Sequence, residues 1–352
     1  MRKIQYIILS AVFSYLTLAA TSCESFFDSE QDCSTKIKFE FRKHRQALQT
    51  VNGNPADVFD AAVGSVHLFV YSAENGNLVY EQFSTVENLK TESELNIGTG
   101  NNRCYMPVDI APGKYRIVAW CGLDNNDRNN AFALGEASRA AYNYDECSVK
   151  LSAVPYQPVH DEKYDALFHG AVAEATIAAD GEVITVQLTK NTNDIAVWVQ
   201  HVSASFESGD YEVVFADANG YMKFDDNTLT RTDRLEYHAY SSSLLSADTE
   251  YNGERMETGA LIAHISTARL MEAHKKDARL EVRNKDGVTV FSVPFIQYLL
   301  EMQTFTSNGQ YYLDCEDTYN CSFYLTGDGD LWMPARIIIN NWVKVPDQLG
   351  NI

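Results

Sequence analysis

Lys36-Ile37-Lys38-Phe39-Glu40-Phe41 sets apolar Ile37, Phe39 and Phe41 against charged Lys36, Lys38 and Glu40. Successive side chains of a strand point to opposite faces, so this period of two predicts a half-buried β-strand. The style recurs downstream. Val66 to Tyr71 and Leu78 to Phe83 flank Asn75-Gly76, a dipeptide suited to a tight hairpin turn. Tyr105 to Ile110 runs into the turn Ala111-Pro112-Gly113-Lys114, and Tyr115 to Leu123 follows as the most apolar strand of this half. Val183 to Leu188 alternates again after the Asp180-Gly181 turn.

The polar run Thr189-Lys190-Asn191-Thr192-Asn193 then breaks the pattern, and a fresh strand starts at Ile195 to Val202. A domain boundary is expected here, between 35–190 and 191–352, as a short hinge with closely packed halves. Tyr211 to Phe215, Gly259 to Ser266, Leu280 to Arg283, Val288 to Val293, Tyr319 to Leu325 and Arg336 to Val345 read as strands of the second half. Two segments have helical character: Ala-rich Asn130 to Tyr144, and Thr267 to Ala278 with Leu270 and Met271 facing a core. Phe295 to Met302 is apolar at mixed spacing and fits helix or strand. Short strands punctuated by turns predict an all-β protein of two tandem β-sandwiches.

The chain opens with Arg2 and Lys3, an apolar run from Ile4 to Ala20, and Ala20-Thr21-Ser22-Cys23. A basic start, an apolar middle and small residues before a cut are the requirements of a secretory signal, here residues 1–22. Three readings compete: a transmembrane anchor, plain cleavage after Ser22, and a lipobox with acylation of Cys23. Small residues directly before a cysteine favour the third. Each buried CH2 of an acyl chain contributes about 0.8 kcal/mol of membrane affinity. Residues 23–34 would then form an acidic tether, Glu24-Ser25-Phe26-Phe27-Asp28-Ser29-Glu30-Gln31-Asp32. It resembles the surface-export signal of lipoproteins in the Bacteroides group.

The formal charge of -20 over 352 residues repels phosphate backbones and argues against nucleic acid as a partner. Of seven cysteines, six remain once Cys23 is set aside. Cys315 and Cys321 form the candidate disulfide, because a short loop closes at small entropic cost. Cys121 lies in an apolar strand and reads as a buried thiol. No CxxC is present and the histidines are scattered, so neither metal nor cofactor is expected. Asp124-Asn125-Asn126-Asp127 and Asp328-Gly329-Asp330 read as turns. Arg128 stands where a calcium loop would need another oxygen ligand. His160-Asp161-Glu162 reads as a solvated loop, and His169 as a hydrogen-bonded core residue. With no Gly-x-Ser-x-Gly, Walker loop or His-Glu-x-x-His, the expectation is no enzyme and no small-molecule substrate.

Several pieces carry a resemblance. Pro112-Gly113-Lys114-Tyr115, Ala119-Trp120-Cys121-Gly122-Leu123 and Leu167-Phe168-His169-Gly170 occur in order in the first half. Ser22-Cys23 is followed by Asp32-Cys33. Tyr312-Leu313-Asp314-Cys315-Glu316-Asp317-Thr318-Tyr319-Asn320 and Ile337-Ile338-Ile339-Asn340-Asn341-Trp342 close the second half. Together they are similar to the Mfa2/FimB-type fimbrial anchor lipoproteins.

That resemblance implies two transthyretin-like, Greek-key β-sandwich domains and a lipid-anchored base at the outer membrane. It also implies fimbrillin subunits as partners, joined by β-strand addition. The candidate subunit-contact strand is Arg336 to Val345, with Ile337, Ile338, Ile339 and Trp342. The same residues also suit a plain core strand. Shaft subunits of this type are cut after an arginine, and Arg42, Arg45 and Arg103 are available. An uncut first strand would suit an anchor that ends the fibre. Two further readings stay open: a tip or accessory adhesin of the same fold, and a surface glycan-binding lipoprotein. The latter needs exposed aromatic platforms, whereas Trp120, Trp198, Trp332 and Trp342 mostly sit in apolar strands.

Overall fold

The structure is a computed structural model. It describes residues 35–41, 48–51, 54–57, 59–89, 105–135, 148–151, 162–179, 181–201, 206–207, 209–225, 228–229, 234–251, 254–302, 309–316, 318–327, 331–340 and 342–344. Strands dominate it. The first half carries β1 (Thr35–Phe41), β2 (Leu48–Val51), β3 (Asn54–Asp57), β4 (Ser65–Ser72), β5 (Leu78–Thr85), β6 (Tyr105–Val108), β7 (Gly113–Cys121), β8 (Phe132–Leu134), β9 (Ser148–Leu151), β10 (Phe168–Ile177) and β11 (Val183–Lys190). The second carries β12 (Thr192–His201), β13 (Tyr211–Asp217), β14 (Tyr221–Lys223), β15 (Thr228–Leu229), β16 (Leu235–His238), β17 (Ser241–Tyr251), β18 (Glu254–Ala268), β19 (Arg279–Asn284), β20 (Thr289–Pro294), β21 (Thr318–Thr326), β22 (Met333–Ile339) and β23 (Trp342–Lys344).

The first sheet runs β5-β4-β7-β10-β11-β1-β6. Only Phe168 and His169 of β10 pair with β11, so the sheet turns a corner there and packs on itself as a sandwich. Ile37, Phe39 and Phe41 of β1, with Val186 and Leu188 of β11, meet Val66, Leu68 and Val70 of β4 and Ile117 and Ala119 of β7. The alternation read in β1 is therefore the inside–outside alternation of a sandwich strand. At the β4–β5 turn Gly76 has φ 73°, and the Asn75 side chain accepts the backbone N–H of Asn77 at 3.0 Å.

The second half layers a six-stranded sheet, β17-β18-β12-β21-β22-β23, over a four-stranded sheet, β16-β13-β19-β20. Its core draws on Ile195, Val197 and Val199 of β12, Phe323 and Leu325 of β21, and Phe215, Leu280 and Phe291 of the smaller sheet. The protein is thus all-β, with two β-sandwiches in tandem. Within this core, the Nδ1 of buried His274 lies 2.8 Å from the carboxylate of buried Asp217. That hydrogen bond holds the imidazole pKa above its ordinary value, outweighing the opposing effect of burial. A raised folded-state value stabilises the fold fully below the ordinary histidine pKa, about 6.5. The contribution fades as pH rises through the folded-state value. His274→Ala is accordingly expected to lower the urea midpoint at pH 5.5 by more than at pH 9, and an equal loss at both would refute a charged pair.

Several local readings are corrected. Within Asn130 to Tyr144 the structure gives strand β8, and the Ala-rich remainder at 136–144 lies outside the described residues. The Asn129 side chain accepts the backbone N–H groups of both Ala131 and Phe132, a turn that turns buried Phe132 inward. Thr267 to Ala278 holds only one 3-10 turn, Glu272–His274, because β18 continues to Ala268. Leu270 is buried there, whereas Met271 is half-buried. Phe295–Glu301 resolves as a helix, with Phe295, Ile296, Tyr298 and Leu299 inward, the i, i+3, i+4 stripe of a helical face. A second helix, Gly309–Cys315, and the long edge strand β17 have no counterpart in the sequence reading.

Candidate assembly surface

Three features position this molecule for assembly: its first strand, its C-terminal sheet edge and the junction of its halves. β1 is seated inside the first sheet, parallel to β11 on one side and antiparallel to β6 on the other. Phe39 stacks on Phe59 at a centroid distance of 5.9 Å, and Phe41 lies 4.9 Å from Phe168. On the outer face Lys38 pairs with Glu40, which also accepts a hydrogen bond from the Gln187 amide at 3.0 Å. Arg42, Arg45 and Arg103 lie outside the described residues, as does Cys23.

At the other end, the expected single strand Arg336 to Val345 is two. β22 and β23 form a hairpin through Asn340, which has φ 46°. Ile337, Ile338 and Ile339 pair with β21 on one side and with β23 on the other. Both backbone edges of these three residues are occupied by neighbouring strands. Ile337 and Ile339 are buried core residues, because an interior strand must fill the sandwich. The edge belongs to β23, which contains Trp342.

The structure does not join Cys315 to Cys321 either. Both are buried thiols, Cys315 at the end of a helix and Cys321 within β21 opposite Val197 and Ile339. Cys321 points into the second core, and its burial pushes the thiol pKa up. The helix ends at Cys315, before β21 begins at Thr318, and Cys321 lies inside that strand.

The two halves share a sheet and a core. β9 of the first half pairs with β14 of the second, giving a four-stranded sheet β15-β14-β9-β8 drawn from both. Phe69, Val118 and Trp120 belong to the same core as Phe224 and Phe215. Trp120 lies 4.4 Å from the His169 ring and 5.9 Å from Phe224, centroid to centroid. His169 reaches the Phe224 carbonyl at 2.9 Å, as a hydrogen-bonded core histidine should. Tyr164 is held likewise: Ser266 accepts its backbone N–H at 3.2 Å, and burial raises its hydroxyl pKa.

The polar run at Thr189–Asn193 lies largely inside the molecule. Thr189, Asn191, Thr192 and Asn193 are all buried. Asn191 donates its backbone N–H to Leu167 at 2.6 Å, and the Asn193 amide donates to the Ala268 carbonyl at 3.3 Å. Nearby, Asn219 donates to the carbonyls of Ala268 and Arg269 and accepts from the Tyr237 hydroxyl at 2.6 Å. Buried polar groups need partners, and these residues supply them where chains cross between sheets.

The remaining candidates read as structure. The Asp124 carboxylate accepts the backbone N–H groups of Asn126 and Arg128 at 2.7 and 3.2 Å, an Asx-type turn. His160, Asp161 and Asp328-Gly329-Asp330 lie outside the described residues. Trp120 and Trp332 are buried and Trp198 half-buried, so no described tryptophan side chain is fully exposed.

The described residues thus form two tandem sandwiches whose junction is pinned by buried polar side chains. The chain belongs to the family of fimbrillin-A associated anchor proteins Mfa1 and Mfa2, whose model matches residues 29–347. Family membership makes it a fimbria-associated structural protein. Among solved structures it is similar to a candidate adhesin from Bacteroides thetaiotaomicron, with 25% identity and a TM-score of 0.69 over 89% of this chain and 97% of that one. It shares its fold with a candidate polysaccharide-binding protein of the same organism, at 21% identity and TM-score 0.67 over 90% and 99% of the two chains. The fimbrial anchor protein Mfa2 from Porphyromonas gingivalis shares it too, at 15% identity and TM-score 0.61 over 89% and 98%. No curated protein sequence matches the chain.

Proposed function

We propose that this protein is the base anchor of a surface fimbria. Acyl chains on Cys23 hold it at the outer membrane, facing outward, and fimbrillin subunits join it by β-strand addition. The observation that carries this reading is the seated first strand. β1 fills the first sandwich with Ile37, Phe39 and Phe41, so that sheet offers no groove for an incoming strand in place of β1. A subunit of this kind ends a fibre. Strand addition on the opposite side is assigned to an edge of the six-stranded sheet, with β23 the edge next to the C-terminus. There an added strand would gain main-chain hydrogen bonds, and alternate side chains would set specificity.

The test is direct. Cells carrying Cys23→Ala are expected to release the protein from the membrane fraction and to shed fimbriae with it. Retention of the variant in the outer membrane would overturn lipid anchoring. Co-purification of a fimbrillin with the wild-type protein separates the anchor from a glycan-binding lipoprotein, which would instead retain polysaccharide. A tip or accessory adhesin would sit at the distal end of the fibre under immunogold labelling.

A further inference from the structure

In a tethered protein, tension enters through the N-terminal strand, so the way β1 is held decides what the tether can bear. β1 and β11 run in the same direction, from Lys36 opposite Val183 to Phe41 opposite Leu188. Lys36 donates its backbone N–H to Glu182 at 2.8 Å, beside the start of β11. The chain thus enters at Thr35 at one end of the pair and leaves β11 for the second half at Lys190, at the other end. A pull on Thr35 resisted by the second half drags the two strands past each other along their own axis. Every paired position is then loaded at once. Strands pulled apart from one end, by contrast, give way pair by pair.

Sliding has a second cost. Ile37 and Phe39 are 0% exposed and Phe41 6%, so sliding would pull three apolar side chains out of their packing. A slip of one residue would turn all three to the wrong face. The core therefore resists the same motion that the ladder resists. β12 repeats the arrangement, parallel to β21 from Asp194 opposite Thr318 to His201 opposite Leu325.

We infer that β1 carries the tension of the tether, locked in shear against β11, so that the first sandwich works as a mechanical clamp in series with the tether. This function rests on the anchor reading for its purpose, since that reading puts tension on the N-terminus. Its test does not. The unlipidated mature chain, carrying Cys23→Ala, is stretched in single-molecule force spectroscopy with two handle geometries. With handles at the N- and C-termini, β1 and β11 are loaded from opposite ends. With handles at the N-terminus and the Asp180–Gly181 turn, both lie at the same end and the pairs open one at a time. The release of the first sandwich, recognised by the chain length it frees, is expected at clearly higher force in the first geometry. Phe39→Ala should lower that force.

Equal forces in the two geometries would overturn the clamp, as would a folded Phe39→Ala chain that ruptures at the wild-type force. Should Phe39→Ala fail to fold, the comparison of geometries with the native β1 decides alone. Equal forces would leave lipid anchoring standing. Membrane retention of Cys23→Ala in cells would sink the anchor and leave the clamp.

Discussion

Arg269→Ala is expected to destabilise the second sandwich by about 3–5 kcal/mol, read as a lower urea midpoint with an unchanged slope. Arg269 and Asp314 are 4% and 8% exposed, and they form a two-pronged ion pair, Nε to Oδ1 and Nη2 to Oδ2, both at 2.8 Å. Gln310 completes the site, donating to Asp314 at 3.0 Å and to the Leu270 carbonyl at 3.1 Å. The pair ties the helix Gly309–Cys315 to the end of β18, two elements 45 residues apart. Removing the guanidinium alone strands a carboxylate in a dry site, which costs more than the pair itself contributes. Replacing both partners by apolar side chains, as in Arg269→Met with Asp314→Leu, is therefore expected to recover most of the loss. A single variant costing under about 1 kcal/mol, the scale of an exposed pair, would show that water reaches the site.

Gly122→Ala is expected to be comparably damaging, and for a backbone reason. Gly122 has φ +98°, a region that side-chain-bearing residues adopt only under strain. A Cβ there would stand 2.1 Å from the Ala166 carbonyl oxygen. A backbone oxygen cannot rotate away as a flexible side chain can. Strain from the backbone region contributes about 1–2 kcal/mol, and forced displacement of a packed segment typically adds about 1–3 kcal/mol. The displaced segment leads through Leu167 into β10, which forms the corner of the first sandwich. The expected result is a chain that expresses poorly or melts well below wild type. A variant with wild-type thermal stability would mean that the 165–167 segment is not held against β7.

Much of the architecture was legible because a sandwich strand writes its two environments into alternate positions. β1 is the clearest case, and the Asn75-Gly76 hairpin the next. The unbroken apolar stretch from Tyr115 to Leu123 carried a second message. Val118 and Trp120 face the shared core while Ile117 and Ala119 face the first sandwich, and a strand buried on both faces reads as a continuous run. The junction between the halves was thus present in the composition of β7, without any sign of what covered it.

Other features had no local signature. β17, Ser-Ser-Ser-Leu-Leu-Ser-Ala-Asp-Thr-Glu-Tyr, lacks a period of two and is a strand because β18 offers it a full-length partner. The polar run at Thr189–Asn193 reads as a break in the strand pattern, yet four of its five residues are buried, where carbonyls at the crossing need donors. Cys315 and Cys321 are near in sequence and still unjoined, one closing a helix and the other lying within a strand.

From the order of its residues alone, this chain determined an all-β class, two sandwiches and a first strand with one apolar face. Those properties follow from side-chain alternation, which is local. Tertiary structure alone decided that β1 lies parallel to β11, that β22 is enclosed by β21 and β23, and that β9 crosses to β14. Pairing between distant strands depends on which backbone edges are left exposed once the cores have closed, and that is a property of the packed molecule.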